Sequence, residues 1–134
     1  RAVTAVRFGD APLLQKRGGN ALTDLAAGQL DEYFAGRRRQ FTVPIRPSGT
    51  DFQRRVWAAL LEIPYGQTQS YLQVARRIGR PGAARAVGMA NHQNPIAILI
   101  PCHRVVGANG ALTGYAAGLP VKRRLLTLEQ SPTD

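Results

Sequence analysis

Apolar side chains recur at the spacing of an α-helix across residues 21–35. The repeat of three to four residues is that of one buried helical face, and Gly36 follows it as a residue that commonly ends helices. The apolar positions are Leu22, Leu25, Ala26, Leu30, Tyr33 and Phe34. We therefore predict a helix over residues 21–35.

A second helix is predicted from Thr50 onward. Thr50 and Gln53 have the spacing of a capping box, in which each side chain satisfies a backbone N–H of the other residue. One helical face then carries the apolar residues Phe52, Val56, Trp57, Leu60 and Leu61. Residues 64–66, Pro-Tyr-Gly, end the pattern.

Two short helices with a tight turn between them follow. Ser70 and Gln73 form a second capping box and predict a helix through Arg77, while a glycine-rich turn at residues 79–82 precedes a third helix from Ala83 to about residue 92. This arrangement is typical of a helix-turn-helix, whose second helix contacts DNA. A helical hairpin without any role in DNA binding has the same spacing, and that alternative stays open.

The first 48 residues predict part of an α/β domain. Residues 2–8 and 41–45 have the pattern of strands, and residues 10–20 that of a loop. Two strands and one helix bury little sheet surface alone, so this half is interpreted as a fragment of a larger domain. Residues 46–49, Arg-Pro-Ser-Gly, are a predicted linker. We place the domain boundary there, with a mostly helical second domain over residues 49–134.

Residues 96–100 are apolar at every position. Such a run predicts a buried strand or extended segment, and it leads directly into Pro-Cys-His-Arg at residues 101–104. Residues 109–110, Asn-Gly, are a hairpin signal. Pro120 predicts the first turn of a last helix that ends near Glu129.

The charge balance favours a polyanionic partner. Sixteen arginines and two lysines stand against eight acidic residues, which gives a formal net charge of +10. Arginine binds phosphate through paired hydrogen bonds and stacks on bases, so nucleic acid is the favoured partner. Two other interpretations stay open: a genome rich in arginine codons, and an anionic membrane surface, although no basic amphipathic helix with an aromatic face is evident.

Composition narrows the class of protein further. Hydrophobic residues make up 44% of the 134 residues, enough for a packed core, and neither a run of about 18 apolar residues nor a signal peptide is present. One cysteine cannot form an internal disulfide, and with two histidines it cannot complete the usual four-ligand zinc site. We expect a monomeric, cytoplasmic protein (nucleoid-associated in a prokaryote), with no metal, no cofactor and no membrane contact.

Cys102 is the strongest candidate for a reactive residue. Most free cysteines are small buried hydrophobes. The adjacent His103 and Arg104, however, could stabilise a thiolate, which is the nucleophilic form. Neighbouring side chains in an extended segment point apart, so we do not expect His103 to touch Cys102 directly. A water could bridge them, and a carboxylate would orient the imidazole. Position and spacing alone leave both interpretations of Cys102 open.

Residues 94–107 resemble the active-site signature of the O6-alkylguanine-DNA alkyltransferases, with the motif PCHRV after an apolar run. Further stretches that are similar to the family lie at residues 49–57, 63–71, 84–88, 112–115 and 122–129. The resemblance covers residues 49–130 closely, and residues 1–48 resemble the family's N-terminal domain from partway into it. It implies a fragment of an RNase H-like α/β domain followed by a helical domain with a winged-helix-like helix-turn-helix.

The resemblance also implies a reaction. Cys102 would irreversibly accept the alkyl group of O6-alkylguanine, and possible substrates extend to O4-alkylthymine. His103 would draw off the thiol proton through a water, and Glu129 would orient His103. Asn94 resembles a hinge asparagine between the recognition helix and the active-site strand, although a turn asparagine before a proline is equally compatible.

Double-stranded DNA is the implied partner, bound through its minor groove after the damaged base is flipped out. Tyr71 resembles the tyrosine that turns the target phosphate, and Arg85 the arginine finger that fills the vacated stack. Ala83 and Ala84 resemble small residues that let the helix approach DNA. Arg80 and Gly88 are assigned to the same surface. A core aromatic and a solvated helical arginine are the plain alternatives for Tyr71 and Arg85.

One loop departs from the family pattern. Tyr115 and Ala116 are expected in the substrate pocket, and Ala117 stands where the family often has a glycine, which puts tolerance of bulky alkyl groups in doubt. Two other functions stay open: a lesion-binding protein without transfer activity, and a helix-turn-helix regulator. Cys102 disfavours the first, because related lesion binders carry another residue there.

Overall fold

The computed structural model describes residues 21–112, 115 and 118–130. Within this part of the chain five α-helices and two short strands follow one another, with a 3-10 turn on either side of the second strand. The helices are α1 (Ala21–Phe34), α2 (Asp51–Leu61), α3 (Tyr71–Arg77), α4 (Ala84–His92) and α5 (Leu119–Gln130), and the strands are β1 (Gln69–Ser70) and β2 (Val105–Val106). The architecture is therefore helix-rich with a small sheet.

All five predicted helices are present, with ends within about two residues of those expected from the sequence. Just beyond α1, Gly36 has a φ of +76°, the left-handed conformation that ends many helices and that glycine adopts without steric cost. The last helix begins at Leu119, so Pro120 lies in its first turn as predicted.

Both predicted capping boxes form. The Gln53 N–H donates to the Thr50 hydroxyl at 3.1 Å, and the Thr50 N–H donates to the Gln53 side chain at 2.9 Å. Ser70 and Gln73 make the same pair of bonds at 3.1 and 2.7 Å. A helix cap contributes about 1 kcal/mol, so these two polar pairs fix the residues at which α2 and α3 begin.

Helices α2, α3 and α4 pack against one another around one core. The side chains that they bury completely or nearly so include Val56, Trp57, Leu60, Val74 and Val87. The Trp57 indole donates to the Ala90 carbonyl at 2.9 Å and ties α2 to α4. Gly79, with a φ of +77°, allows the tight turn between α3 and α4. The two short helices predicted around a glycine turn are therefore present.

Residues of α1 belong to the same core. Ala26, Leu30 and Tyr33 are buried in the apolar cluster that also contains Trp57. The described part of the N-terminal segment thus packs directly on the helices that follow it. The domain boundary at residues 48–49 stays a prediction.

The two strands pair in parallel, with Gln69 opposite Val105 and Ser70 opposite Val106. β1 immediately precedes α3, and β2 immediately follows the 3-10 turn Cys102–Arg104. The pairing therefore brings the start of α3 close to the chain around Cys102.

The expectation of a strand over residues 96–100 is wrong. The run is buried except for the half-buried Ala97, but it folds into a tight turn in which the Ile100 N–H donates to the Ile96 carbonyl at 3.1 Å. Ile98 has a φ of +71°, which is costly for a β-branched residue, on the order of 1–3 kcal/mol. Cys102 then lies in a 3-10 turn instead of an extended segment. An apolar run predicts burial, and here burial does not imply extension.

Residues 41–45 do not form the predicted strand, and only Ile45 makes a bridge. The buried side chain of Gln29 takes the role of a strand partner, because its Oε1 accepts the Thr42 and Val43 N–H groups at 3.0 and 3.3 Å. Its Nε2 donates to the Thr42 hydroxyl at 2.6 Å. A side chain from α1 therefore satisfies backbone groups that a neighbouring strand would otherwise bond.

The Asn-Gly pair at residues 109–110, predicted as a hairpin signal, lies in the 3-10 turn Ala108–Gly110, and Gly110 has a φ of +78°. The Gly107 N–H closes this turn on the Ala111 carbonyl at 2.8 Å. The strand before it, β2, pairs in parallel with β1, so the turn does not join the two strands of a hairpin in the described part of the chain.

Some predictions fall on residues that the structure does not describe. They are the strand at residues 2–8, the loop at residues 10–20, and the pocket residues Ala116 and Ala117. Among the residues that it does describe, no helix is both long enough and apolar enough to cross a bilayer.

Candidate active site

Cys102 is buried, with about 5% of its surface exposed, at the first position of the 3-10 turn. Its N–H donates to the Ile100 carbonyl at 2.8 Å, and its own carbonyl accepts the Asn91 side-chain amide at 3.3 Å. Asn91 belongs to α4. The backbone of Cys102 is thus held both by the turn that precedes it and by the helix expected to contact DNA.

His103 and Glu129 form a buried pair. The His103 Nε2 lies 2.6 Å from the Glu129 Oε2, and both side chains are almost fully excluded from solvent. Glu129 reaches this position because α5 buries one helical stripe composed of Lys122, Leu125 and Glu129. The contact between His103 and Glu129 that the family resemblance implied is therefore present.

Arg104 binds the same carboxylate. Its Nε donates to the Glu129 Oε1 at 2.8 Å and its Nη2 to Oε2 at 3.0 Å, while Nη1 donates to the Ile63 carbonyl at 2.8 Å. The sequence left open whether Arg104 stabilises a thiolate at Cys102. In the structure its guanidinium holds the Glu129 carboxylate in a bidentate ion pair.

The protonation states follow from these contacts. Burial opposes ionisation of Glu129, but hydrogen bonds from His103 and Arg104 outweigh it and hold the pKa of Glu129 at about 2. Burial lowers the pKa of His103 below its usual value. We conclude that a neutral imidazole faces an ionised carboxylate. Because the carboxylate can only accept, Nε2 carries the ring proton.

The other ring nitrogen of His103 is then the basic one. Nδ1 is buried and has no hydrogen-bond partner among the residues that the structure describes. With the proton fixed on Nε2, its lone pair is available to accept a proton. An imidazole that a carboxylate orients in this way can act as a general base.

The Cys102 thiol would need such a base in order to lose its proton. Burial raises the pKa of Cys102, although hydrogen bonding to Asn94 and Tyr115 and the charge of Lys122 oppose that effect. The thiol is therefore protonated at neutral pH, and the thiolate that acts as nucleophile forms only if its proton is removed.

Lys122 and Tyr33 are two site residues that the sequence reasoning missed. Lys122 is fully buried, and burial lowers its pKa while nearby Cys102 raises it. A charged residue seven positions before Glu129 on the same predicted buried face was the available signal. Tyr33, counted only as an apolar residue of the first helix, donates its hydroxyl to the Glu129 Oε2 at 2.6 Å.

Asn94 lies just beyond α4 and spans the turn at residues 96–100. Its Nδ2 donates to the Ile100 carbonyl at 2.9 Å, and its Oδ1 accepts the Ile96 N–H at 2.9 Å. These two bonds close the turn that leads to Cys102. Asn94 thus connects the end of α4 to the segment that leads to Cys102. That segment is a turn, where a strand was expected.

The remaining predicted residues form a separate, surface-facing group. Arg80 and Arg85 are exposed, Ala83 and Ala84 are partly exposed, and all four lie at or before the start of α4. The Ala83 side chain makes no capping hydrogen bond. This end of the helix is therefore bordered by small side chains and two arginines.

Tyr71 and Gly88 adjoin that surface and contact each other. Tyr71 is the first residue of α3 and is half-buried, and a Cβ added at Gly88 would lie 3.7 Å from its ring. Tyr115 lies with the buried group and is about 8% exposed. The structure thus separates the predicted residues into a buried cluster around Cys102 and an exposed cluster on α3 and α4.

The described residues do not contain a group of three or more histidine, cysteine, aspartate or glutamate side chains that could hold a metal ion. The buried cluster combines a thiol, an imidazole, a carboxylate and two cations. Such a set supports proton transfer and nucleophilic attack by sulfur.

Comparisons with known proteins agree with this chemistry. A family model described as 6-O-methylguanine DNA methyltransferase, DNA binding domain, matches residues 51–131. The chain is 59% identical over 106 residues to a methylated-DNA–protein-cysteine methyltransferase of Methanosarcina acetivorans and 61% identical over 106 residues to one of Mycobacterium bovis. These matches cover 79% of this chain, and 68% and 64% of the two relatives.

The fold is also similar to a solved structure, that of Mycobacterium tuberculosis OGT in complex with DNA. The TM-score is 0.80 at 59% identity, and the match covers 81% of this chain and 67% of that one. The helix-rich arrangement with a small sheet is therefore shared with that protein.

Proposed function

Because the chain belongs to the 6-O-methylguanine DNA methyltransferase family, we propose that it repairs alkylated DNA by direct reversal, with Cys102 as the acceptor of the alkyl group. The observation that carries this proposal is the buried pair formed by Glu129 and His103, the residue that follows the buried Cys102 in the chain, with Nε2 and Oε2 2.6 Å apart. O6-alkylguanine is the proposed substrate, and O4-alkylthymine is a further candidate.

The reaction balances without a cofactor. His103 Nδ1 takes the proton of the Cys102 thiol through a bridging water, and Glu129 stabilises the resulting imidazolium. The thiolate sulfur attacks the alkyl carbon in line with the bond to O6. An S–C bond forms, the C–O6 bond breaks, and the guanine leaves as an anion. The proton that His103 took from the thiol passes through water to this anion, so His103 becomes neutral again. The thioether is stable, so each protein molecule reacts once.

Base flipping is part of the proposal, because Cys102 is buried in the protein and cannot reach, in line with the bond to O6, the alkyl carbon of a base that stays stacked in the duplex. We infer that Arg85 replaces the extruded base and that Tyr71 contacts the target phosphate. Arg80, Ala83, Ala84 and Gly88 complete the surface that faces the minor groove. The exposure of the start of α4, the net charge of +10 and the DNA complex of the Mycobacterium tuberculosis relative support this inference.

We further propose that residues 49–134 form a helical domain with a winged-helix-like helix-turn-helix, preceded by part of an RNase H-like domain. The family model supports the second domain, since it begins at residue 51. The substrate pocket would be closed by Tyr115, which is buried near Cys102, together with Ala116 and Ala117.

In this proposal, alkyl transfer and DNA binding depend on different residues, and Cys102→Ala tests whether they do. This variant should lose all transfer of radiolabelled methyl groups from DNA but should bind the DNA as the unchanged protein does, because the arginines lie on α4 and its preceding turn. Residual transfer by the variant would exclude a mechanism with a single acceptor. Absence of transfer by the unchanged protein, with binding intact, would favour the lesion-binding alternative.

A further inference from the structure

Tyr33 places a hydroxyl inside the buried pair from a distant part of the chain. Its oxygen lies 2.6 Å from the Glu129 Oε2 and 3.5 Å from the His103 Nε2. The residue is fully buried, and its ring packs against Phe41 and Tyr65 with centroids 5.5 and 6.1 Å away. The aromatic packing leaves the hydroxyl little freedom to move away from the carboxylate.

The two oxygens of the Glu129 carboxylate accept different numbers of short hydrogen bonds. Oε1 accepts Arg104 Nε at 2.8 Å and the Gly66 N–H at 3.4 Å. Oε2 accepts Arg104 Nη2 at 3.0 Å, His103 Nε2 at 2.6 Å and the Tyr33 hydroxyl at 2.6 Å. The two shortest contacts thus meet on one oxygen. They come from the imidazole and the phenol.

We propose that Tyr33 is a positioning residue for alkyl transfer, whose hydroxyl holds the Glu129 Oε2 against the His103 Nε2. This inference rests on the function proposed above. Through Tyr33, helix α1, at the other end of the described chain, contributes to the general base that removes the proton of the Cys102 thiol. Tyr33 itself touches neither the thiol nor the substrate and acts only through Glu129.

The Tyr33 hydroxyl is expected to lower the pKa of His103. Burial and the Glu129 charge raise the pKa of Tyr33, so it stays a neutral donor throughout the working range of pH. The groups that face the His103–Glu129 pair from all sides are Tyr33, Tyr65, Arg104, Tyr115 and Lys122. Loss of the Tyr33 hydroxyl removes one hydrogen bond from Oε2. The carboxylate then attracts a proton on His103 more strongly, and the pKa of His103 rises.

Tyr33→Phe tests this inference, because it removes the hydroxyl and keeps the ring. The second-order transfer rate from duplex DNA containing O6-methylguanine is measured between about pH 5 and pH 9. The variant should react roughly ten-fold more slowly near neutral pH. The acid limb of its pH–rate profile, where His103 becomes protonated, should move to higher pH.

Tyr65→Phe is the matched control. Tyr65 belongs to the same aromatic cluster, but its hydroxyl donates to the Leu128 carbonyl at 3.4 Å and makes no bond to Glu129. This variant should keep the acid limb of the unchanged protein. An acid limb that does not move in Tyr33→Phe, whether the rate falls uniformly or not at all, would overturn the proposal and leave Tyr33 as a packing residue.

Replacement of Tyr33 by 3-fluorotyrosine keeps the test decisive if the phenylalanine variant does not fold. Fluorine makes the phenol a stronger donor, so the acid limb should move to lower pH, opposite to the phenylalanine variant. No movement would contradict the proposal. Failure of the unchanged protein to transfer a methyl group would instead refute the proposed function itself, so the two failures are distinguishable.

Discussion

The His103 Nε2 and the Glu129 Oε2 lie 2.6 Å apart in the protein interior, although 26 residues separate them along the chain. Arg104, the neighbour of His103, binds both oxygens of the same carboxylate. The carboxylate therefore stays ionised in spite of its burial, and the imidazole beside it keeps its proton on Nε2. In the proposed reaction, proton transfer from the Cys102 thiol depends on this relationship.

Glu129→Gln should slow methyl transfer at neutral pH, because a neutral amide stabilises an imidazolium poorly and the apparent pKa of Cys102 rises. General-base catalysis of this type contributes about 100- to 10,000-fold. The measurement is the transfer rate as a function of pH, made on protein whose folded fraction is known. That correction is needed because the substitution leaves Arg104 buried without its partner, at a cost of about 3–5 kcal/mol.

Glu62→Gln provides the control for that experiment. Glu62 pairs with Arg77 at 2.6 Å on the surface, where the glutamate side chain is 67% exposed. The same chemical change there should leave the transfer rate unaltered. A rate for Glu129→Gln that equals the control at every pH would mean that Glu129 has only a structural role.

Stability should decline as the pH falls below about 6.5. The folded pKa of His103 lies below its usual value of 6.5, so the unfolded chain takes up a proton that the folded chain does not. Glu129, with a folded pKa of about 2 against a usual 4.5, adds a second decline between those two values. Urea unfolding at several pH values measures both. His103→Gln should remove the first decline and His92→Gln should retain it, whereas identical curves for the two variants would refute the assignment.

The sequence predicted the helices well because their signals are local. The Thr50–Gln53 and Ser70–Gln73 pairs act within one turn, and Gly36 ends α1 by its own conformational freedom. The contact between His103 and Glu129 was available through the family resemblance. It could not be found from spacing, since it joins two separate elements.

The two wrong strand predictions, at residues 41–45 and 96–100, have a common physical cause. The turn at residues 96–100 depends on the Asn94 side chain, and residues 41–45 bond to the side chain of Gln29, so tertiary contacts decided the backbone in both segments. Tyr33 was hidden because a tyrosine on an apolar helical face is indistinguishable, in sequence, from an ordinary core residue. Lys122 did give a signal, a charged residue on the buried face of α5, but the spacing alone did not show what it contacts.

Arg85→Ala should slow repair of double-stranded DNA strongly and affect single-stranded oligomers or the free alkylated base much less. An inserted arginine replaces stacking that only a duplex loses when the base is flipped. The measurement is the second-order transfer rate on the three substrates. Arg123→Ala, which removes another exposed positive charge, from α5, controls for the loss of net charge. Equal fractional losses on duplex and single strand would identify Arg85 as a backbone contact.

Gly49→Ala should destabilise the fold by about 1–3 kcal/mol. A Cβ at this position would lie 2.6 Å from the Gln53 Oε1 and 2.7 Å from the Trp57 ring, so the first capping box and the core must both shift. Gly82→Ala is the control, since a Cβ there meets no described atom within 4 Å. Chemical denaturation compares the two, and equal free energies of unfolding would show that α2 absorbs the methyl group without strain.

The most direct test of the account is the mass of the protein after repair. The chain is incubated with an equimolar amount of duplex carrying one O6-methylguanine, and both products are analysed by intact mass and peptide mapping. We predict that each protein molecule gains the mass of one CH2 group, that the gain lies on the peptide containing Cys102, and that the DNA then contains ordinary guanine. Restored guanine with no change in the protein's mass, or a methyl group on any other residue, would contradict the account.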